Sequence, residues 1–175
     1  MAVPTIYYKL INYWNKQSLD EQKSISDVLN KFRLMVSGSA ALPISTLEEW
    51  RKISGKTLLE RYGMTEMGMA ISNLYVGERV PGSIGFPLDQ MRVRLMNEEG
   101  KIVKSGTPGE IQVKGPNVFK EYWEKPESTK ESYIDGWFKT GDIAVETEGR
   151  YRILGRNSVD IIKSGGHKIS ALEIE

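Results

Sequence analysis

Residues 62–66 combine, within one short stretch, side chains that suit a nucleotide and its metal ion. The ring of Tyr62 can stack on a flat base, and Gly63 lets a backbone approach a ligand closely. The hydroxyl of Thr65 can hydrogen-bond an acyl or phosphate oxygen, and the carboxylate of Glu66 suits Mg²⁺. On these residues alone, the alternative interpretation is a Tyr-Gly turn followed by a solvated Thr-Glu helix cap.

Two further stretches carry residues of the same kind. Small side chains at residues 38–41 would let a ligand lie against the backbone, although a tight turn from a strand to a helix has the same composition. Asp142 follows Thr140 and Gly141, and a short carboxylate there can accept hydrogen bonds from two neighbouring hydroxyls. The alternative for Asp142 is a turn aspartate that bonds its own backbone.

In this order, these stretches resemble the motifs of the adenylate-forming superfamily, which includes acyl-CoA synthetases, luciferases and the adenylation domains of peptide synthetases. Residues 62–66 match its Tyr-Gly-x-Thr-Glu motif, and residues 140–142 match its Thr-Gly-Asp motif. Residues 155–175 resemble its hinge-region motif, and residues 33–43 resemble the loop that borders its adenine and acyl pocket. The resemblance covers most of the chain.

The resemblance implies a role for individual residues. Thr65 and Glu66 would be catalytic: the hydroxyl would contact the acyl carboxylate and the α-phosphate, and Glu66 would hold Mg²⁺ on ATP. Tyr62 would stack on adenine, Asp142 would bind the ribose hydroxyls, and Arg156 would contact ribose and phosphate. The full set that the resemblance places at the nucleotide is Gly38, Ser39, Ala40, Glu60, Arg61, Tyr62, Gly63, Thr65, Asp142 and Arg156.

The C-terminal stretch is expected to carry the hinge and the channel for CoA. By resemblance, Lys163, Gly165 and Gly166 would line the channel for the pantetheine arm. The chain has one more residue before the double glycine than many relatives, which places the hinge at or near Ser158. His167, the single histidine, is interpreted as a loop residue and not as a catalyst.

Within the superfamily, residues 60–66, 72–88 and 114–120 resemble the malonyl-CoA synthetase group in particular, and the tail resembles its eukaryotic branch, which is mitochondrial in animals. A dicarboxylate needs a cation for its distal carboxylate, because burying an unpaired charge is costly. Arg79 is the first candidate and Arg33 the second, while a surface loop charge is the alternative for Arg79. Met64 is expected in the wall of the acyl pocket.

Composition excludes several classes of function. The 175 residues are 39% hydrophobic and 27% charged, as in ordinary globular proteins. Lys and Arg (24) balance Asp and Glu (23), so charge gives no case for nucleic acid or an anionic membrane. The absence of cysteine excludes disulfides, zinc thiolate sites and cysteine catalysis. No apolar run approaches the ~20 residues of a membrane helix, and no signal-peptide pattern opens the chain.

The elements that must position these residues follow from hydrophobic periodicity. We expect helices at residues 4–15, with Ile6, Leu10, Ile11 and Trp14 as its apolar stripe, at 20–32 and at 128–133. A capping box of Ser45 and Glu48 should open another helix, which Gly55 ends. Strands at 33–37 and 57–60 would form a parallel sheet, whose ligands lie beyond the carboxyl ends of its strands. Further short strands are expected at 91–95, 101–103, 110–114, 142–146, 150–154 and 160–163.

The predicted fold is therefore α/β: a parallel-sheet portion followed by a small β-barrel-like subdomain, equivalent to the C-terminal half of the large domain of an adenylate-forming enzyme. We expect the α/β portion at residues 1–75, the β-rich subdomain at 76–155, and the hinge with the start of the small C-terminal domain at 156–175. The chain is interpreted as an internal fragment.

The predicted activity is that of an ATP-dependent acid–CoA ligase for malonate or methylmalonate, with ATP, CoA and Mg²⁺ as cofactors. It would form an acyl-adenylate and then the CoA thioester, in a mitochondrial or alternatively a cytoplasmic enzyme. A fatty-acid or aryl-acid CoA ligase and a catalytically inactive nucleotide-binding fragment are the alternatives. The chain contains neither the family's phosphate loop nor its C-terminal adenylation lysine, so we expect little ligase activity from it alone.

Overall fold

The computed structural model describes residues 1–156, 161–164 and 167–170. The first half contains α1 Pro4–Trp14, α2 Leu19–Asn30, β1 Val36–Ser37, α3 Ile44–Ser54, β2 Leu59–Met64, β3 Gly68–Ser72 and β4 Phe86–Pro87. The second half contains β5 Arg92–Met96, β6 Gly109–Lys114, α4 Pro126–Ser132, β7 Tyr133–Ile134, β8 Trp137–Thr147, β9 Arg150–Arg156, β10 Ile161–Ser164 and β11 His167–Ser170. The order confirms the predicted α/β class, with helices first and a β-rich part after them.

Helix α1 packs on α3 by a face that shares Ile11 and Trp14 with the predicted stripe but not its other two members. Pro4 opens the helix, where its missing N–H costs nothing. Tyr7 and Ile11 are buried, and the Tyr7 ring meets the edge of Trp50 with centroids 4.9 Å apart. Ile6 and Leu10, two members of the predicted stripe, are 43% and 44% exposed. The stripe at positions 4, 7 and 11 therefore sets the packing.

The capping box predicted for α3 is wrong. Pro43 precedes the first residue of this helix, and its carbonyl accepts from Leu47 N at 3.1 Å, so the helix starts before Ser45 can act as a cap. A capping box is instead present at α2, where Ser18 and Glu21 exchange hydrogen bonds. Gly55 ends α3 as expected, with a φ of 66°.

The first sheet has the order β1-β2-β3-β4, and only its β1–β2 pair is parallel. The chain turns back after Met64 in a tight hairpin, where Met67 N donates to the Met64 carbonyl, and β3 returns antiparallel to β2. Residues 62–64 thus lie in a strand and not in a turn. Gly63 is required there, because a Cβ would lie 2.0 Å from the Gly68 carbonyl oxygen.

The second sheet is antiparallel in the order β5-β6-β8-β7, with β9 also paired to β8. The Thr-Gly-Asp stretch lies inside β8 at a β-bulge and not after a sharp turn. Glu110 pairs with Ile143 and Gln112 pairs with Lys139, so residues 140–142 oppose Ile111 alone. The strand expected at 101–103 is a single bridge between Ile102 and Met96.

Two hydrophobic cores meet along β2. One core joins α1, α3 and the residue before β2, Leu58. The other contains Tyr62 and lies under the second sheet. β2 is therefore the element that fixes the helices relative to the β-rich part, while the domain boundaries at 75 and 155 stay predictions. No helix in the described part of the chain is long and apolar enough to span a bilayer.

A carboxyl group is buried near the start of β2. Glu60 is 7% exposed, and its Oε1 accepts a hydrogen bond from Gly82 N at 3.1 Å. Burial raises the pKa of Glu60 from 4.5 to about 7, and this effect outweighs the hydrogen bond, which lowers the pKa. The folded protein therefore holds a proton on Glu60 at pH values where the unfolded chain has released it.

This burial predicts a pH dependence of stability. The free energy of unfolding should fall by about 2 to 3 kcal/mol as the pH rises from about 4.5 to about 7, since only the folded state retains the Glu60 proton in that window. Urea denaturation at a series of pH values measures it. Glu60→Gln should remove this slope, whereas Glu131→Gln, at an exposed position in α4, should keep it. Equal slopes in both variants would contradict the assignment to Glu60.

Candidate nucleotide site

A buried hydrogen bond connects the two sheets. The Tyr62 hydroxyl donates to Asp142 Oδ2 at 2.6 Å, although the two residues are 80 positions apart. Both residues are buried. Burial raises the pKa of Tyr62, and the negative charge of Asp142 raises it further, so the hydroxyl stays a neutral donor. Asp142 is thereby held in one orientation.

Arg156 faces the other oxygen of the same carboxylate. The register of β8 and β9 places Arg156 opposite Asp142, and its Nε donates to Asp142 Oδ1 at 3.3 Å. The Arg156 side chain is 61% exposed, whereas that of Asp142 is 9% exposed. The arrangement is a buried carboxylate with a cation at its solvent side. Such a pair can bind the hydroxyls of a sugar and an adjoining phosphate together.

The bulge that presents Asp142 is held by side chains on both strands. Thr140 Oγ1 donates to the Ile111 carbonyl at 2.8 Å and accepts from Asp142 N at 3.1 Å. Glu110 Oε1 accepts from Gly141 N at 3.2 Å. Sequence reasoning missed Glu110, because nothing in the local pattern reveals which residue lies across from a bulge.

Thr65 and Glu66 occupy the hairpin between β2 and β3. Thr65 is exposed and Glu66 is half-buried. Glu66 Oε1 accepts from the Tyr122 hydroxyl at 3.0 Å, a contact that the sequence did not indicate. Among the described residues, no group of three or more acidic, histidine or cysteine side chains is arranged so that it could hold a metal ion. One carboxylate still fits Mg²⁺, which is commonly bound by one or two carboxylates together with phosphate oxygens and water.

A second group of polar atoms lies at the carboxyl end of β1, where its parallel pairing with β2 stops at Ser37 and Glu60. Gly38 lies against the Arg61 guanidinium, since a Cβ on Gly38 would be 2.8 Å from its Nε and Cζ atoms. Arg61 Nε and Ser37 Oγ are both buried without a hydrogen-bond partner among the described residues. Ser39, with a φ of 70°, and Ala40 are exposed beside them. Ligands of parallel sheets lie at such strand ends.

Three other predicted site residues belong to the framework of the site. The Glu60 carboxyl group faces the Gly82 backbone, and Gly63 is packed against the Gly68 backbone. Met64 ends β2 and packs against the core that contains Tyr62. The roles of Glu60 and Gly63 at a nucleotide, and of Met64 at the acid, stay predictions.

The structure does not bring Arg79 to these residues. The Arg79 guanidinium donates to the carbonyls of Thr57, Leu74 and Tyr75 at 2.6, 3.1 and 2.9 Å. Thr57 precedes β2, whereas Thr65 follows it, and a strand of this length spans ~20 Å. Arg33 and Arg79 both line a cavity of about 570 Å³ at this amino-terminal end. Neither arginine is therefore placed beside Asp142 or Glu66.

The residues predicted for the hinge and the CoA channel lie at the limit of the described chain. Ser158, Gly165 and Gly166 are outside the described residues. Lys163 lies in β10, where its backbone pairs with Lys168 of β11. The roles of these residues stay predictions.

Comparison with known sequences finds a matching family and close relatives. The sequence profile of the AMP-binding enzymes matches residues 1–123. The chain is 51% identical over 200 aligned residues to the mitochondrial malonate–CoA ligase ACSF3 of Mus musculus. That alignment covers all of this chain and 34% of the mouse protein. The chain thus spans about a third of the length of the curated relatives it matches.

Comparison with solved structures gives the same result. ATP-bound MatB from Rhodopseudomonas palustris superposes with a TM-score of 0.88 at 43% identity, over 100% of this chain and 34% of MatB. A malonyl-CoA ligase with methylmalonyl-CoA and AMP bound superposes with a TM-score of 0.79 at 40% identity, over 99% of this chain and 36% of that one. Because the family profile matches more than half of its residues, the chain belongs to the family of AMP-binding enzymes.

Proposed function

We propose that this chain forms part of an ATP-dependent acid–CoA ligase that activates malonate or methylmalonate. The observation that carries the proposal is the buried Asp142 carboxylate, which Tyr62 orients and Arg156 faces. This arrangement can bind the ribose hydroxyls of a nucleotide and position its phosphates near Thr65 and Glu66. The choice of malonate or methylmalonate as the acid and of CoA as the thiol rests on the names of the relatives.

The proposed reaction has two steps. A carboxylate oxygen of the acid attacks the α-phosphorus of ATP, and the bond to the β-phosphate oxygen breaks to release pyrophosphate. The CoA thiolate then attacks the acyl carbon of the adenylate, and AMP leaves. The protein contributes mainly by positioning and by stabilising charge: the Thr65 hydroxyl donates to the acyl or phosphate oxygen, and Arg156 offsets phosphate charge. Mg²⁺, held on the triphosphate by Glu66, would supply further charge neutralisation.

We assign the distal carboxylate of the acid to Arg61, which the resemblance placed at the nucleotide, in place of Arg79 or Arg33. The Arg61 Nε is buried without a hydrogen-bond partner among the described residues, and Arg61 directly follows Glu60, where the parallel pairing of β1 with β2 ends. Arg61 is half-buried, and a buried N–H group without an acceptor is costly, so a second carboxylate would supply the acceptor that Nε lacks. Ser37 Oγ, also buried without a described partner, is a further donor at this position. A monocarboxylic fatty acid would leave both groups unpaired, which favours the dicarboxylate.

The parent enzyme is proposed to act in mitochondria. The basis is the similarity to relatives that are themselves named as mitochondrial proteins. A fluorescent fusion of the full-length protein should be imported into mitochondria, and a fusion that stays outside them would contradict this location.

The nucleotide site predicts AMP binding that depends on Asp142. Isothermal titration of AMP into the purified chain should show binding, and Asp142→Ala should weaken it at least tenfold, because two ribose hydroxyls lose a charged acceptor. Asp89→Ala, at an exposed acidic position, is the matched control and should bind normally. AMP binding that is equal in both variants would contradict the proposed site.

The assignment of Arg61 predicts a selective loss of malonate binding. With AMP present, Arg61→Gln should weaken malonate binding by about 10- to 100-fold, since it removes hydrogen bonds to a charged partner. Acetate has no distal carboxylate and should bind both forms with similar affinity. Arg79→Gln should leave malonate affinity unchanged. Circular dichroism checks that this variant is folded. Loss of malonate binding in Arg79→Gln alone would move the subsite to Arg79.

A further inference from the structure

We propose that Tyr122 is a positioning residue for the metal-binding carboxylate of the site. It would hold Glu66 in the orientation that meets a divalent cation on the triphosphate. The inference deepens the proposed function and rests on it. No feature of the local sequence around Tyr122 indicated this role.

The first observation is the hydrogen bond itself. The Tyr122 hydroxyl donates to Glu66 Oε1 at 3.0 Å, while Oε2 accepts no hydrogen bond from the described residues. One carboxylate oxygen is thereby fixed and the other is left for a ligand. A glutamate side chain loses considerable rotamer freedom when it is ordered, so a protein group that restrains it in advance reduces the cost of binding a cation.

The second observation is that the same segment also holds the backbone of Glu66. Phe119 N donates to the Glu66 carbonyl at 2.7 Å, three residues before Tyr122. The hairpin that bears Thr65 and Glu66 is thus fixed at its backbone and at its side chain by residues 119–122. A single contact could leave the carboxylate free to rotate, but the two contacts together define its direction.

The third observation is that Tyr122 is itself fixed from β8 and α4. The Phe119 ring packs against Tyr122, with centroids 4.7 Å apart, and against Phe138 of β8 at 5.2 Å. Tyr122 N donates to Thr129 Oγ1 of α4 at 2.9 Å. The Tyr133 hydroxyl donates to the Phe119 carbonyl. β8 therefore positions Glu66 through this aromatic cluster and carries Asp142 directly, which couples the metal side of the site to the ribose side.

The test compares metal-dependent with metal-free nucleotide binding. Mn²⁺ and ATP serve as the probe, followed by electron paramagnetic resonance of the bound Mn²⁺, and AMP without metal is measured in parallel. Tyr122→Phe keeps the ring in the cluster and removes only the hydroxyl. It should weaken Mn²⁺·ATP binding about tenfold and leave AMP binding within twofold. Tyr8→Phe, at an exposed tyrosine on α1, is the control and should change neither.

A double variant distinguishes a positioning role from a purely structural one. If Tyr122 acts through Glu66, Tyr122→Phe combined with Glu66→Gln should bind Mn²⁺·ATP no worse than Glu66→Gln alone. Additive losses, or an equal loss of AMP and Mn²⁺·ATP binding in Tyr122→Phe, would overturn the positioning role. Absence of AMP binding in the unaltered chain would instead overturn the proposed nucleotide site, and this inference with it.

Discussion

The hydrogen bond between Tyr62 and Asp142 is the constraint on which the rest of the site depends. It joins β2, which belongs to one hydrophobic core and directly follows Leu58 of the other, to the bulge of β8 in the second sheet. Both groups are buried, so removing either one would leave the other as a buried polar group without its partner, which would lower the free energy of unfolding. The link fixes β2 to β8 at Tyr62, three residues before Thr65.

The bulge in β8 explains how one strand can serve two purposes. Regular pairing with β6 would alternate the side chains of residues 140–142 between the two faces of the sheet. Three residues opposite Ile111 change that alternation, and Gly141 adopts a φ of 76° that other residues rarely take. Thr140 and Glu110 then satisfy the backbone groups that the bulge leaves unpaired. Asp142 is directed at Tyr62 and Arg156 as a result.

The resemblance of short motifs to those of a known family predicted Tyr62, Asp142 and Arg156 for one site, and the structure brings these three side chains together. The helices were also predictable, because periodic apolar residues and Gly55 define them locally. The buried face of α1, the first residue of α3 and the β-bulge in β8 could not be predicted, since each depends on a residue or strand that packs against that element. The same holds for the roles of Glu110 and Tyr122 and for the position of Arg79 relative to Arg61. These features rest on contacts between segments that are distant in the sequence.

A double-mutant cycle on Tyr62→Phe and Asp142→Asn tests this account most directly. The free energy of unfolding of the four proteins, measured by urea denaturation, gives the coupling between the two side chains. Because the hydrogen bond is buried and its acceptor is charged, we expect a coupling energy of about 1.5 to 3 kcal/mol. Effects that add to within about 0.5 kcal/mol would show that the two side chains do not interact, and would contradict the proposed link between the sheets.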